Sequence, residues 1–177
     1  VQLYKLLARQ IAANLGMTAC FLPKPITGIN GSGMHCNISL SRQGKNIFHD
    51  ASGEGGISPL AWDFVKRILY SAQDLSLVLN PSVNAYRRLD PHFEAPNQIK
   101  SSANDRTSMV RIPLCNEASA RIEVRSVAPD ANPYMTFFVL LRTGLEGPIE
   151  AADDSKRSRK SVLPGNIQDA IKYFNTS

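Results

Sequence analysis

The sequence predicts an α+β fold, because helical and strand-like patterns follow one another without strict β-α-β alternation. Apolar residues recur at helical spacing in segments near the start, the middle and the end of the chain. Shorter segments alternate apolar and polar residues, which is typical of strands with one buried face. With 177 residues and 43% hydrophobic content, the chain can bury one hydrophobic core.

The first third of the chain predicts one helix and two strands. Leucines and an isoleucine between residues 3 and 15 recur at helical spacing, and Gly16 is a suitable helix stop. Residues 18–26 and 34–40 predict strands that are joined by a glycine-rich loop. Residues 42–46 (RQGKN) predict a tight turn.

The middle of the chain predicts one long helix followed by an ordered loop. Ser58 can cap this helix with Pro59 in its first turn, and Pro81 ends it. The predicted buried stripe of the helix consists of Leu60, Phe64, Ile68, Leu69 and Leu75. Trp62 is assigned to the core. Residues 82–105 lack a clean period and contain several turn formers, which favours a functional loop.

The last part of the chain predicts two strands and two helices. The strands cover residues 109–112 and 122–127, and Asn132 begins the first helix. The side chains expected to face the core from that helix are Tyr134, Phe137, Phe138 and Leu141. A polar linker is expected over 147–160, and Asn166 caps a short final helix.

The charge pattern favours a small anionic ligand over nucleic acid. The net charge is +5, and six of the twelve arginines lie between residues 87 and 125 along alternating segments. Arginine binds phosphate and carboxylate through a bidentate fork, and this spacing suits a pocket better than a stripe along a duplex. The basic cluster at 156–160 follows two aspartates and is interpreted as a solvated loop.

The cysteines and the hydropathy favour a cytoplasmic protein. Cys20, Cys36 and Cys115 form no CxxC pair, which indicates reduced thiols rather than a disulfide framework. No apolar run approaches the roughly 20 residues of a membrane span, so we expect no membrane partner. The chain begins without Met inside a helical pattern, and we therefore expect it to be part of a longer polypeptide.

The run at residues 24–35 (KPITGINGSGMH) is the most informative local feature of the sequence. Glycines let the backbone approach a small ligand closely. His35 directly follows this loop and offers a metal ligand or a proton carrier. The same pattern also fits an ordinary tight turn that precedes a histidine.

Arg121, Glu123 and Arg125 alternate with apolar residues, so their side chains share one face of a strand. A carboxylate on such a face can serve as a metal ligand, because Mg²⁺ and Mn²⁺ favour oxygen ligands and Mn²⁺ tolerates a single imidazole. A carboxylate that pairs with its own arginines on a solvated face explains the strand pattern equally well.

Five motifs resemble the C-terminal catalytic half of the glutamine synthetase family in both order and spacing. They are residues 30–35 (NGSGMH), 87–96 (RRLDPHFEAP), 105–113 (DRTSMVRIP), 121–126 (RIEVRS) and 129–134 (PDANPY). The resemblance extends from the first residue to about Gly147. Asn37 and Ser126 resemble the branch of the family that is found in Gram-positive bacteria.

The resemblance implies an antiparallel, half-barrel sheet with helices packed on its outer face. It divides the chain into part of the catalytic domain (1–147), a polar linker (148–163) and the start of a C-terminal helical region (164–177). Family members join glutamate and ammonium with ATP through a γ-glutamyl phosphate, and they require Mg²⁺ or Mn²⁺. They assemble as dodecamers of two stacked hexameric rings.

The resemblance also implies a role for individual residues. His35 and Glu123 match ligands of the metal ion that contacts the ATP phosphates. The residues that match glutamate ligands are Asn30, Gly31, Arg88 and Arg125. The residues that match ATP and phosphate ligands are Arg106, Arg111, Arg121, Ser39 and Asn37.

Two of the matched residues would be catalytic. Arg106 would act on the transferred phosphoryl group. Glu94 would shield the intermediate from water and help to deprotonate ammonium. Without the resemblance, Glu94 is simply an exposed acid in a proline-flanked loop. His49 and His92 match no role and are interpreted as surface histidines.

Three positions depart from the family pattern. Ser101 stands where the family usually has an aromatic residue, Asn104 where it has an arginine, and Asp105 where it has an asparagine. We therefore expect weaker stacking on adenine. We also expect a negative charge beside Arg106 that weakens the attraction for phosphate.

Two alternative functions remain open. One is a γ-glutamyl ligase that uses another amine, such as a polyamine, and the other is a divergent, non-catalytic homologue with a regulatory role. In the family, the other metal-binding glutamates precede the matched region. We therefore expect residues 1–177 alone to fold, to lack ligase activity, and to self-associate through exposed sheet edges.

Overall fold

The computed structural model describes residues 1–114, 116–149 and 161–176. Its helices are α1 (Gln2–Asn14), α2 (Pro59–Tyr70), α3 (Ala72–Leu79), α4 (Val83–Arg88), α5 (Pro133–Glu146) and α6 (Ile167–Asn175). Its strands are β1 (Cys36–Ile38), β2 (Ser41–Arg42), β3 (Lys45–Asn46), β4 (Gln98–Ser102), β5 (Ser108–Arg111) and β6 (Ile122–Val124). The predicted α+β class is confirmed.

Four strands form a mixed sheet in the order β1-β6-β5-β4. The β1–β6 and β5–β6 pairs are antiparallel, whereas β4 and β5 are parallel. The prediction of an all-antiparallel sheet is therefore wrong at this edge. The loop at 103–107 returns the chain to the start of β4, and so both strands run in the same direction. The half-barrel shape stays a prediction.

The core lies between this sheet and a layer of helices. Helix α2 packs on β4 and β5, α5 packs on α2, and α6 packs on α3. Phe64 of α2 and Phe48 meet edge to face, with ring centroids 5.5 Å apart. Gly144 of α5 permits this packing, because a Cβ there would collide with three carbons of the Phe64 ring. Close packing of this kind makes the core sensitive to added volume.

Several predicted boundaries are confirmed. Helix α1 is followed by Gly16 at a φ of +69°. Gln43 and Gly44 both adopt positive φ in the turn between β2 and β3, as a two-residue hairpin requires. The Ser58 hydroxyl accepts a hydrogen bond from the Ala61 amide at the start of α2. Asn166 caps α6 as predicted.

The predicted strand at 18–26 is wrong. This segment contains no strand, and its backbone pairs with a side chain instead. The Lys24 amide donates to Asn84 Oδ1 at 2.7 Å, and Asn84 Nδ2 donates back to the Lys24 carbonyl at 3.0 Å. The Lys24 ammonium donates to the Ile29 carbonyl and lies 3.4 Å from the centroid of the Phe93 ring. The glycine-rich loop is thus held by side chains from elsewhere in the chain.

The predicted long helix is interrupted at Ser71, which separates α2 from α3. Its expected stripe is largely buried, but Leu60 is 39% exposed at the first turn. The predicted loop at 82–105 contains α4 and β4. Helix α4 begins where the Ser82 hydroxyl accepts a hydrogen bond from the Ala85 amide at 3.1 Å. Trp62 is half-buried against the core, and its indole N–H donates to the backbone.

The predicted inward face of α5 is wrong. Tyr134, Phe137, Phe138 and Leu141 are all exposed, and the residues that pack inward are Pro133, Thr136, Leu140 and Gly144. Helix α5 carries apolar residues on both faces, so hydrophobicity alone does not identify the buried one. The small residues face the core because they allow α2 to approach closely.

The end of the predicted linker packs against the sheet. The Ile99 amide donates to the Ser161 carbonyl at 2.8 Å, and the Leu163 amide donates to the Asn97 carbonyl at 2.8 Å. Leu163 is buried. This pairing covers part of the outer edge of β4. Most of the predicted linker and its basic cluster at 156–160 lie outside the described residues.

Candidate active site

Polar side chains line up across three neighbouring strands of the sheet. Glu123 on β6 lies opposite Asn37 on β1 and opposite Arg111 on β5. Residues that lie opposite each other in antiparallel pairs project from the same face. The neighbouring Ile122 and Val124 are fully buried in the core. The predicted alternation along β6 is therefore confirmed.

The side chains of His35 and Glu123, the two predicted metal ligands, contact each other. The distance from His35 Nδ1 to Glu123 Oε1 is 2.8 Å. Because an ionised carboxylate only accepts, Nδ1 of the neutral ring carries the proton and Nε2 keeps a free lone pair. Burial lowers the pKa of His35 below 6.5 and outweighs the hydrogen bond to Glu123, which raises it. His35 is therefore a neutral ligand donor at pH 7.

Two arginines balance the charge of Glu123, which is 8% exposed. Arg111 Nη1 donates to Oε2 at 3.2 Å, and Arg125 Nε lies 3.9 Å from Oε1. The interpretation of a solvated face is wrong for this carboxylate. Arg121 turns away from it, and its Nε donates to Asn37 Oδ1 at 3.0 Å.

Arg88 carries a buried positive charge. It is 6% exposed, and its guanidinium donates to the carbonyls of Ser126 at 3.2 Å and Arg125 at 2.9 Å. Burial, assisted by the charge of Arg125, lowers the pKa of Arg88 to about 10, so the group stays charged at neutral pH. Carbonyl dipoles orient this charge but do not neutralise it. An anion that reaches Arg88 is therefore strongly favoured.

The loop at 103–107 anchors two of these arginines through its backbone. Arg111 Nε donates to the Ala103 carbonyl at 3.1 Å. Arg125 Nη1 donates to the Arg106 carbonyl at 2.9 Å. The conformation of this loop therefore sets where the guanidinium groups around Glu123 point.

Arg106 and Glu94, the two predicted catalytic residues, contact each other. Arg106 Nη1 donates to Glu94 Oε2 at 2.7 Å. Both side chains are more than half exposed, at 68% and 57%. An exposed ion pair of this kind is weak and opens readily for a ligand.

Two of the predicted nucleotide residues, Asn37 and Ser39, lie on β1 and directly after it. Ser39 lines an open cavity of about 600 Å³ together with the hairpin and residues 116–118. Arg121 borders this region, because its Nη1 donates to the Ser119 carbonyl at 3.1 Å. The cavity is large enough for a polar ligand.

The glycine-rich loop packs directly over the site. A Cβ on Gly31 would meet the Pro23 carbonyl and lie 3.0 Å from Arg88 Cγ. A Cβ on Gly33 would lie 2.5 Å from Arg88 Nη2 and 2.9 Å from His35 Nε2. The absence of side chains at both positions lets the loop approach Arg88 and His35. Asn30 is exposed on the same loop, and the role of Gly33 was missed by the sequence analysis.

The metal ion that the resemblance implies requires several oxygen or nitrogen donors around one point. Within the described residues, no group of three or more His, Cys, Asp or Glu side chains could hold a metal ion. His35 and Glu123 nevertheless converge, and they supply one imidazole, which Mn²⁺ tolerates, and one carboxylate, which both Mn²⁺ and Mg²⁺ favour. These residues fit one part of a metal site.

Lys100 is a further charged residue that the sequence analysis missed. Its ammonium lies 2.7 Å from Asp105 Oδ2. Asp105 was expected to place a negative charge beside Arg106. The Asp105 carboxylate instead pairs with Lys100, and Arg106 pairs with Glu94. No local motif indicated this contact, because it depends on how the loop turns back along β4.

Two arginines around one carboxylate, beside a neutral imidazole and under a glycine-rich loop, form a positively charged site whose chemistry suits an anionic ligand. The sequence profile described as "Glutamine synthetase, catalytic domain" matches residues 1–176. The chain belongs to this glutamine synthetase family. The described residues contain no helix of the length and apolarity that crossing a membrane requires.

Several proteins named glutamine synthetase are similar to this chain. A glutamine synthetase from Pasteurella multocida is 48% identical over 97% of this chain and 34% of its own length. Others from Clostridium saccharobutylicum and Staphylococcus aureus (strain MRSA252) are 38% and 44% identical, over 98% and 83% of this chain and 43% and 33% of their own lengths. The chain thus spans about a third to two fifths of these relatives. These identities are too similar to show which branch of the family the chain belongs to. Its assignment to the branch found in Gram-positive bacteria stays a prediction.

Proposed function

We propose that this chain is the nucleotide- and glutamate-binding portion of an ATP-dependent ligase that forms glutamine from glutamate and ammonia. A carboxylate is a poor electrophile, so ATP must first convert it to a γ-glutamyl phosphate. Ammonia then displaces phosphate. The observation that carries the proposal is the His35–Glu123 contact inside a cluster of arginines, in a chain of the glutamine synthetase family.

Glutamate is proposed to bind through its carboxylates at Arg88 and Arg125. Support comes from the buried charge of Arg88, which is held by carbonyls, and from the buried Nε of Arg125, which has no hydrogen-bond acceptor among the described residues. Asn30 and Gly31 would complete this subsite, since Gly31 lies on the stem of Arg88. A bidentate arginine fork suits a carboxylate geometrically.

The phosphate groups of ATP are proposed to bind at Arg106, Arg111 and Arg121, with Asn37 and Ser39 as neighbours. Phosphoryl transfer depends on positive charge placed around the equatorial oxygens of the transferred group. Arg106 would supply this charge after it leaves Glu94. The cavity lined by Ser39 suits the remainder of the nucleotide.

His35 and Glu123 are proposed to hold part of a site for Mg²⁺ or Mn²⁺. Such an ion, when bound, would supply electrostatic stabilisation to the phosphates. Glu123 would exchange its contacts with His35 and the two arginines for this role. The remaining ligands would come from the nucleotide, water and protein groups beyond this pair.

Glu94 is proposed to shield the activated glutamate from water and to accept a proton from ammonium. Its exposure and its weak pairing with Arg106 leave its carboxylate accessible. We further propose that the protein acts in the cytoplasm, that the active assembly is a dodecamer of two hexameric rings, and that residues 1–177 alone do not form glutamine.

The test is an assay of glutamine formation by the full polypeptide that carries residues 1–177. Glutamate, ammonium, ATP and Mg²⁺ or Mn²⁺ are supplied, and glutamine is quantified by chromatography. Arg106→Ala is expected to lower kcat by on the order of 10³-fold, with little change in the KM for glutamate. Arg142→Ala is the matched control, because Arg142 is exposed on α5 and pairs only weakly with Glu146.

The outcomes separate the alternatives. Glutamine formation that requires both ATP and metal supports the proposal. Amide formation with a polyamine but not with ammonium would identify the γ-glutamyl ligase alternative. No product with either amine, from a folded polypeptide, would favour the non-catalytic homologue. An unchanged kcat in Arg106→Ala would remove the proposed role of Arg106.

A further inference from the structure

Asp105 is the acidic residue of the loop that anchors the arginine cluster. Its Oδ1 accepts hydrogen bonds from the amide of Thr107 at 2.8 Å and from the hydroxyl of Thr107 at 2.7 Å. Its Oδ2 lies 2.7 Å from the ammonium of Lys100. The hydrogen bond from Lys100, followed by those from Thr107, lowers the pKa of Asp105 to about 2. The carboxylate is therefore ionised at neutral pH.

The position of Asp105 connects it to two arginines of the site. Arg125 Nη1 donates to the carbonyl of Arg106 and, at 3.4 Å, to the carbonyl of Asp105. Arg106 is the next residue of the loop and projects toward Glu94. A change in this turn therefore moves Arg106 directly and Arg125 through its acceptors. An uncompensated charge on Asp105 would also oppose an incoming anion.

We propose that Lys100 is a positioning residue of the phosphate site: its ammonium neutralises Asp105 and fixes the loop at 103–107, so that Arg106 presents its positive charge to a phosphate chain and Arg125 keeps its carbonyl acceptors on the loop. The inference rests on the proposed function for the location of that phosphate chain. It adds a residue that the five sequence motifs do not include. Lys100 lies on β4, outside all of them.

A purely structural surface ion pair is the competing explanation. The side chains of Lys100 and Asp105 are 50% and 37% exposed, and pairs of this kind contribute little to folding stability. Anion affinity distinguishes the two roles, because a structural pair affects stability alone. Because Lys100 acts chiefly by neutralising Asp105, removing the Asp105 charge is also expected to rescue the loss of Lys100.

The experiment measures the binding of inorganic tripolyphosphate to the full polypeptide that carries residues 1–177 by isothermal titration calorimetry. The variants are Lys100→Ala, Asp105→Asn, the double variant, and Lys66→Ala. The last is the matched control: Lys66 on α2 pairs with Asp63 at 3.7 Å, so its loss removes the same unit of net charge from another surface ion pair. Thermal unfolding of each variant reports structural damage.

We expect Lys100→Ala to raise the Kd for tripolyphosphate about three- to fivefold relative to Lys66→Ala. Adding Asp105→Asn is expected to return the Kd to within about twofold of the wild-type value. Equal Kd values for the two lysine variants, or a double variant without rescue, would overturn the inference. A wild-type chain that does not bind tripolyphosphate would overturn it as well.

Ligase activity of the full polypeptide is measured separately, so the two claims fail independently. If the binding cycle behaves as expected but no amide forms, the proposed function fails and the role of Lys100 in anion binding stands. If glutamine forms but the variants all bind tripolyphosphate with the same Kd, only the inference about Lys100 fails.

Discussion

Replacing Glu123 by glutamine removes the one negative charge that His35, Arg111 and Arg125 share. The side chain of Glu123 is 10% exposed, and its oxygens lie 2.8, 3.2 and 3.9 Å from the three partners. The amide has nearly the same shape but carries no charge, and it turns an NH₂ group toward donors. Two partly buried guanidinium groups then lose the negative charge that neutralises them.

The magnitude follows from the burial of each partner. Breaking a fully buried ion pair costs about 3–5 kcal/mol. Arg125 is 15% exposed and cannot recover hydration, whereas Arg111 is 43% exposed and can turn toward water. We therefore expect Glu123→Gln to lower the free energy of unfolding by about 2–3 kcal/mol.

Urea denaturation followed by circular dichroism measures this change, and Glu94→Gln is the matched control. The Glu94–Arg106 pair is exposed on both sides, so its loss is expected to cost about 0–1 kcal/mol. A difference of less than about 0.5 kcal/mol between the two variants, or a gain in stability from Glu123→Gln, would refute the view of Glu123 as a buried counter-charge.

Two further predictions concern the core. Gly144→Ala is expected to destabilise the fold by about 1–3 kcal/mol, because its Cβ would collide with the Phe64 ring. A Cβ on Gly165 would meet nothing within 4 Å, so Gly165→Ala should change the free energy of unfolding by less than about 0.5 kcal/mol. Equal denaturation midpoints for the two variants would contradict this packing. Burial raises the pKa of Cys36 from 9.0 to about 11, so at about pH 8 only about one in a thousand Cys36 thiols is ionised, against about one in ten for an ordinary thiol. Peptide-level mass spectrometry should therefore show that iodoacetamide modifies exposed Cys20 at least tenfold faster than Cys36 in the folded protein, and similar rates would contradict the burial of Cys36.

The local chemistry of caps and turns was predictable from the sequence. Ser58, Gly16 and Asn166 satisfy backbone groups within a few residues of themselves, so short-range patterns sufficed for the ends of three helices. The alternation in β6 similarly predicted that Glu123 and Arg125 share a face. The contact of His35 with Glu123 joins residues 88 positions apart, and only the family resemblance predicted it.

The errors share a long-range cause. The segment at 18–26 has strand-like composition, but the Asn84 side chain pairs with the backbone N–H and C=O of Lys24. Helix α5 is apolar on both faces, and the choice of face depends on the ring of Phe64. The parallel pairing of β4 with β5 and the Lys100–Asp105 contact both follow from the return of the loop at 103–107. None of these partners is a neighbour in sequence.

The fate of the glutamate oxygen tests the proposed chemistry most directly. Glutamate labelled with ¹⁸O in its γ-carboxylate is converted by the full polypeptide with ATP, ammonium and Mg²⁺, and the released phosphate is analysed by mass spectrometry. If the carboxylate oxygen attacks the γ-phosphorus and ammonia then displaces phosphate, each phosphate leaves with one labelled oxygen and each glutamine keeps one. Unlabelled phosphate alongside glutamine formation would contradict a γ-glutamyl phosphate at this site.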